Sequence, residues 1–503
     1  MKTLYRASRV HTFSHPAMGE WLLVDGRHVE RVGSGDPPAA DRTVDLPGTT
    51  VVPGFLDSHV HLTGTGIHHA GPPVGDARSA RELLDMLAAA ALDAGEALLV
   101  HGFDETRWNP SNLPSLQELD DVSEKPVIVV RADGHLSLAN RPALEASEAL
   151  GLPGAERDEE GAPTGTVRRE ANARLQEWFH RNLPAHEVQH YQLEAAGLAA
   201  ARGVTCVHEM AIPEMRGMRD VEALLAQRSL LPVDVVLYVA VTDIPLVMDL
   251  GLQTIGGDLS LDGSIGARTA LLSEPYADAE GTGARYREDD DLTEFLQSAH
   301  LAGLQVAVHA IGDAAIEQAL ASWERVYHSL DSRERRHFRA RRHRIEHFEI
   351  PAEGHVERAA SLGLAVSVQP SFDALWGHPG GMYERRLGTN RAARMNPFRT
   401  FLERGVEMGA GSDSPVTPLD PMAGIRAFET HHDPRQRLSR GEAIRLFTSG
   451  AARLAHLEGK KGRLEPGVQA DFCAYDVDPT EAPGTEDPRP VLTVSLGREV
   501  FAA

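Results

Sequence analysis

The stretch DDLTEFLQSAHLAGLQVAVHAIGD, Asp290 to Asp313, carries the pattern that decides the fold. Leu292, Phe295, Leu296 and Ala299 recur at helical spacing, and Gly303 supplies a C-terminal stop. LQVAVH then reads as a short, nearly all-apolar strand, as expected where helices cover a sheet. A polar residue, His309, ends that strand. The same unit recurs along the chain: VQHYQLEAAGLAAARG runs into VTCVHEMA, HVERAASLG into LAVSVQPS, and FRTFLERG into VEMGAGSDSP. Helix–strand alternation over some 400 residues predicts a parallel α/β fold. His61, His208, His309, His347, Gln369 and Asp413 fall at or just beyond the ends of different predicted strands. In a closed parallel barrel those ends converge on one mouth, where active sites are built. The expectation is therefore a (β/α)₈ TIM-like barrel.

The two ends of the chain have another rhythm. WLLVDGRHVERVG places Asp25-Gly26 between apolar runs, as in a tight hairpin. GRLEPGVQADFCAYDVD has a turn at Pro466-Gly467 before a strand, and VLTVSLGREVF alternates as one more strand. Neither end buries enough surface alone, so the two are expected to pair into one small β-sandwich. The predicted division is 1–52 and 456–503 for that sandwich and 53–455 for the barrel, with a charged insertion near 140–200 over its mouth.

Composition narrows the function classes. The chain has 503 residues and a net charge of −23, which argues against an extended nucleic-acid surface. Its one basic run, Arg333 to Arg344, leads straight into an apolar strand and reads as a solvated helix and loop. Two cysteines, Cys206 and Cys473, give no disulfide framework and no Cys-based zinc site. The N-terminus lacks the apolar core of a signal peptide, and no stretch is long and apolar enough to span a bilayer. The expected setting is cytoplasmic, with a small-molecule substrate, no nucleic acid and no membrane; a homodimer is compatible with such a barrel.

The chemistry begins at VVPGFLDSHVH, residues 51–61. Strand alternation points His59 and His61 the same way, as a two-point metal clamp. A lone His-x-His is weak evidence, and each of His309, His347 and Asp413 taken singly reads as an ordinary hydrogen-bonded histidine or turn aspartate. Their shared place at strand ends is the stronger signal. Nitrogen and oxygen donors of this kind suit Zn²⁺, Mn²⁺ or Fe²⁺ in a hydrolytic centre. Such an ion lowers the pKa of its water from ~15.7 toward ~7. Asp413 is placed to shuttle the proton to a leaving amine, and His347 or another histidine to polarise the scissile carbonyl. No G-x-S-x-G elbow and no reactive cysteine supports a covalent nucleophile.

PGFLDSHVH resembles the first-strand signature of the amidohydrolase superfamily, with His309, His347 and Asp413 matching its later ligands in order. ADGHLSLANRPAL, DGSIGARTALLSEPYAD, HAIGDAAIEQAL, RIEHFEI and GSDSPV are similar to blocks of amidohydrolase family 3, the branch that includes N-substituted formamide deformylases. The resemblance implies a barrel with a sandwich from both termini and a divalent metal, Zn²⁺ by first choice. It implies that His59, His61 and Asp413 bind one ion, and that His309 and His347 bind a second or orient the water. It also implies substrate-side roles for His135 and Arg268; the plain alternatives are a turn histidine and a loop salt bridge. Hydrolysis of a non-peptide C–N bond, in an amide or formamide-like compound, is the implied reaction. Hydrolytic deamination of a cyclic amine and a catalytically altered, metabolite-binding barrel are the alternatives.

One departure stands out. Many members of the branch carry a lysine shortly before DGS, and its carbamate bridges two ions. Here that segment reads GDLSLDGS, residues 257–264, and the only lysines are Lys2, Lys125, Lys460 and Lys461. Either the site holds one ion, the favoured reading because nothing in the spacing singles out a replacement for the lysine, or a carboxylate such as Asp258, Asp262 or Glu209 forms the bridge.

Overall fold

The structure, a computed structural model, describes residues 1–105, 108–131, 136–481 and 487–503. Its contacts divide the chain into two compact units. One comprises Met1–His61, Ala196–Ile212 and Arg228–Ala503; the other comprises Leu62–Ala195 and Pro213–Gln227.

The first unit holds the barrel strands, all parallel. Phe55–Val60, Val204–Ala211 and Asp234–Val239 form a three-stranded sheet. Thr254–Ser260, Gln305–Ala310, Arg344–His347, Ala365–Val368 and Glu407–Ala410 form a five-stranded one. At one seam Val60 bridges Ser414, the Asp413 N–H donates to His59 O at 2.8 Å, and the His61 N–H donates to Ser414 O at 2.9 Å. At the other, Thr254 Oγ1 donates to Leu237 O. In chain order these are the first to eighth strands of a TIM-like α/β barrel fold. The helix–glycine–strand units read from sequence recur here. Helix Asp289–Leu301 stops before Gly303, which takes φ +86°, and the His309 strand follows. The basic run forms helix Ser332–Arg341, opened by an Asp331 capping box, and leads into the sixth strand.

Strands from both ends of the chain share one seven-stranded sheet in the same unit. Lys2–His11 pairs in parallel with Arg42–Pro53, which pairs antiparallel with Phe472–Tyr475. The Asp25-Gly26 hairpin is present, with Gly26 at φ +59°. VLTVSLGREVF differs from its reading as one strand. It forms two, Pro490–Ser495 and Arg498–Ala502, because Leu496 and Gly497 adopt φ +52° and +73° and reverse the chain.

The second unit has its own five-stranded sheet: Leu98–Phe103, Val127–Arg131, Leu136–Ala139, Pro163–Arg168 and Ala155–Arg157 in spatial order. Ile128, Val130, Leu144, Leu175 and Phe179 belong to its core, and Trp108 is buried within it, donating to Ala77 O. Trp108 is thus a core residue of this unit. No helix among the described residues is long and apolar enough to cross a membrane.

Candidate metal centre

His59 and His61 close the first strand, and alternation puts both imidazoles on one side. Asp57 fastens this strand to the eighth: its carboxylate accepts the N–H of Ser412 at 3.0 Å and of His59 at 3.1 Å. Gly411 makes that approach possible. A Cβ there would lie 2.5 Å from His59 N and 2.7 Å from Asp57 Oδ1. The small residues of GAGSDSP therefore serve the close backbone contact that brings Asp413 to the histidines.

Two other ligand candidates depend on unusual backbone. His347 has φ +71° and Asp413 φ +55°, left-handed values that cost a non-glycine residue free energy and cluster at functional sites. At His347 the consequence is plain. Arg344 and Glu346 alternate inward along the sixth strand, so regular geometry would turn His347 away; the left-handed turn brings it back to the mouth.

The residue that unites these side chains is Asp258, on the fourth strand. Its Oδ1 lies 3.5 Å from His59 Nε2, 3.5 Å from His309 Nδ1 and 3.6 Å from His347 Nε2; its Oδ2 lies 3.0 Å from His61 Nε2. Asp413 Oδ1 lies 3.5 Å from His59 Nε2 and 3.1 Å from His61 Nε2. Two donor groups result, His59–His61–Asp258–Asp413 and Asp258–His309–His347, with Asp258 common to both. Gly256 and Gly257, at φ +87° and +82°, precede Asp258 where the pairing register with the fifth strand shifts. Such a bulge re-aims the following side chain.

The donor chemistry fits a divalent ion. Ligand atoms ~2.1 Å from a tetrahedral ion lie ~3.4 Å apart, close to the spacings here. His59 Nε2, Asp258 Oδ1 and Asp413 Oδ1 are buried without a hydrogen-bonding partner of acceptable geometry. The opposite ring nitrogens are occupied. His59 Nδ1–H donates to Glu346 Oε2 at 2.9 Å, His61 Nδ1–H to Met210 O at 2.9 Å and His347 Nδ1–H to Gln369 Oε1 at 2.8 Å. These bonds leave Nε2 of each ring facing the cluster.

Charge follows the same geometry. Burial disfavours protonation of His61, but the Asp258 and Asp413 carboxylates close beside its Nε2 outweigh it, raising its pKa to about 10. His309 rises to about 9 against the same desolvation, through Asp258. Burial, with the nearby charge of His309, lowers His347. Asp258, despite its burial, is held well below the usual carboxylate range, first by the charge of His59.

The other sequence candidates fall elsewhere. Asp262 gives its oxygens to the N–H groups of Leu271, Ile311 and Gly312 at 2.8, 3.0 and 2.8 Å, and so organises loops after the fourth and fifth strands. Glu209 belongs to neither donor group among the described residues. His208 sits in the middle of its strand instead of at its end, where its Nδ1 accepts from Arg344. Arg268 is held by Asp278 through two bonds of 3.0 and 2.9 Å, and Arg386 binds the same carboxylate. His135 lies outside the described residues. Trp376 packs edge-on to Tyr383 and at a tilt to Phe372, and Phe372 lies parallel to the His347 ring. In a further group, Asp373–His431–His432, His432 Nδ1–H donates to Asp373 Oδ1 at 2.5 Å and His431 Nε2–H to Asn396 O at 3.0 Å, while His432 Nε2 is buried without a partner. Sequence reasoning did not reach Arg344 and Glu346. Both lie in RIEH, where two charged residues inside a buried strand were the available signal.

A family model described as "Amidohydrolase family" matches residues 42–501. The chain is 30% identical to Protein LONG AFTER FAR-RED 3 of Arabidopsis thaliana over 466 residues, covering 85% of this chain and 78% of that one. It is 24% identical to N-substituted formamide deformylase of Arthrobacter pascens over 525 residues, covering 92% and 90%. Among solved structures it resembles an uncharacterized metal-dependent hydrolase from Pyrococcus furiosus, with a TM-score of 0.79 and 27% identity over 96% of this chain and 100% of that one.

Proposed function

The chain belongs to the amidohydrolase family and is a metal-dependent hydrolase of carbon–nitrogen bonds other than peptide bonds, and from that premise we propose that it cleaves an amide or formamide-like bond at a centre of two ions bridged by Asp258. The observation that carries this reading is the position of Asp258 between the two donor groups. It supports two ions over the single ion expected from the sequence, with a carboxylate doing what a lysine carbamate does in many members of the branch.

His59, His61, Asp258 and Asp413 would hold one ion, and Asp258, His309 and His347 the other, with Zn²⁺ the first choice for this mixed nitrogen and oxygen set. The ions, when bound, supply the Lewis acidity that makes water nucleophilic at neutral pH. Asp413 takes a proton from the attacking water and returns it to the leaving nitrogen. His347, whose burial favours the neutral ring, presents only Nε2 to the site because Gln369 holds its other nitrogen. Arg268 would serve the substrate side only by sharing its guanidinium between Asp278 and the substrate.

The reading is tested by metal analysis of the purified protein and by assaying amine release from a panel of amides and N-substituted formamides. Two bound ions and hydrolysis that disappears in His59→Ala are expected. Protein that takes up no ion, or His59→Ala with full activity, overturns it.

A further inference from the structure

Behind the ring of ligand atoms lies a buried pair of opposite charges. Arg344 and Glu346 are fully buried. Arg344 uses all the donors of its guanidinium. Nε and Nη2 reach Glu346 Oε1 and Oε2 at 2.8 Å each, Nη2 also reaches Ser58 O at 2.8 Å, and Nη1 reaches Tyr238 Oη at 3.0 Å and His208 Nδ1 at 3.1 Å. These partners come from the first, second, third and sixth strands, so the guanidinium is locked from every side. Glu346 Oε2 then accepts the Nδ1–H of His59 at 2.9 Å.

Stability is a poor reason for such a pair, since burying two charges costs about as much desolvation as their attraction returns. What the pair does uniquely is to back one histidine. His61 donates to a backbone carbonyl, His347 to a side-chain amide, and His309 Nε2 faces Gly263 O at 3.4 Å. Among the four, His59 alone hydrogen-bonds a carboxylate through its far ring nitrogen, the one turned away from the cluster; Asp262 Oδ1 stays 3.7 Å from His309 Nε2. A carboxylate accepting from the far nitrogen fixes the tautomer and makes the near nitrogen a stronger donor.

We propose that Glu346, aimed by Arg344, is the positioning residue that holds His59 for the ion on the His59–His61–Asp413 side. This rests on the metal-centre reading above. Glu346 touches neither substrate nor ion; it acts through His59.

The test is titration of ion-free protein with Co²⁺ and Zn²⁺, following uptake and the Co²⁺ absorption bands. Glu346→Gln keeps an acceptor but removes the charge. The double variant Arg344→Met with Glu346→Gln removes both charges, so no lone guanidinium is left buried. Both are expected to weaken one class of bound ion ~10–100-fold, with altered Co²⁺ bands, and to leave the other class unchanged. Glu346→Asp, which keeps the charge at shorter reach, is expected to fall between these and the native protein. Either charge-removing variant, folded by circular dichroism and binding every ion at native affinity, overturns the proposal. Native protein that takes up no ion overturns the metal-centre reading instead.

Discussion

Asp258 sets one carboxylate oxygen 3.0 Å from His61 Nε2 and turns the other toward the opposite wall of the centre, 3.5 Å from His309 Nδ1. One side chain thereby reaches both donor groups. A short, rigid carboxylate can do this only if the backbone delivers it to the axis of the site, which the glycine bulge before it achieves.

Removal of that carboxylate is therefore expected to affect both ions. Asp258→Ala should lower the metal content of purified protein and reduce kcat/KM by at least ~10²-fold, more than loss of an outer partner costs. Asp258→Asn keeps one oxygen acceptor but not the bridge and should also lose an ion. Elemental analysis beside steady-state kinetics checks this; an unchanged metal content in both variants would exclude a bridging role.

Gln369 holds the far nitrogen of His347 at 2.8 Å. Gln369→Leu leaves that ring free to rotate and to change tautomer. A ~10–100-fold loss of metal affinity or of kcat is expected, with Tm little changed. Ion competition with a chromophoric chelator measures it, and a larger loss of Tm than of affinity would assign Gln369 to packing.

At the barrel seam there is no room for a methyl group. In Gly411→Ala the new Cβ would meet His59 N and Asp57 Oδ1 at 2.5 and 2.7 Å, so the first and eighth strands must separate. A loss of about 1–3 kcal/mol is expected from such overpacking. The same movement carries Asp413 away from the histidines, so urea unfolding and ion uptake should fall together; native uptake in a destabilised variant would uncouple the seam from the site.

Protonation gives a further expectation. In the ion-free protein His61 and His309 titrate near about 10 and about 9, above their ordinary 6.5. Below about pH 6.5 both the native and the unfolded chain carry these protons, and their contribution to stability is complete. As the pH rises through the raised values, the native state keeps protons that the unfolded chain has lost, so stability falls. Ligation displaces the same protons, so stabilisation by added Zn²⁺ should grow with pH across that window. Tm measured with chelator and with Zn²⁺ from about pH 6 to about pH 10 tests both slopes, and a chelated protein that gains stability toward pH 10 would contradict them.

Much of this molecule could be read from local pattern. Apolar spacing in Asp289–Leu301 with the stop at Gly303, and the all-apolar run before His309, determined a helix and a buried strand wherever they were placed. His59 and His61 follow from alternation alone, because residues two apart on a strand must share a side. His309, His347 and Asp413 followed from their places after apolar runs.

Tertiary structure decided which carboxylate completes the centre. Asp258, Asp262 and Glu209 are equivalent on paper. In the fold, Asp262 is captured by backbone N–H groups, and Asp258 is swung inward by left-handed glycines whose effect depends on the neighbouring strand's register. It also decided that Glu346, hundreds of residues from His59, backs that ring. Alternation along a strand is a property of neighbouring residues, so sequence by itself determined His59 and His61 as a pair. Convergence of strand ends, and the bond from His59 to Glu346, depend on strands meeting around a closed set of neighbours, and only the folded chain supplies that.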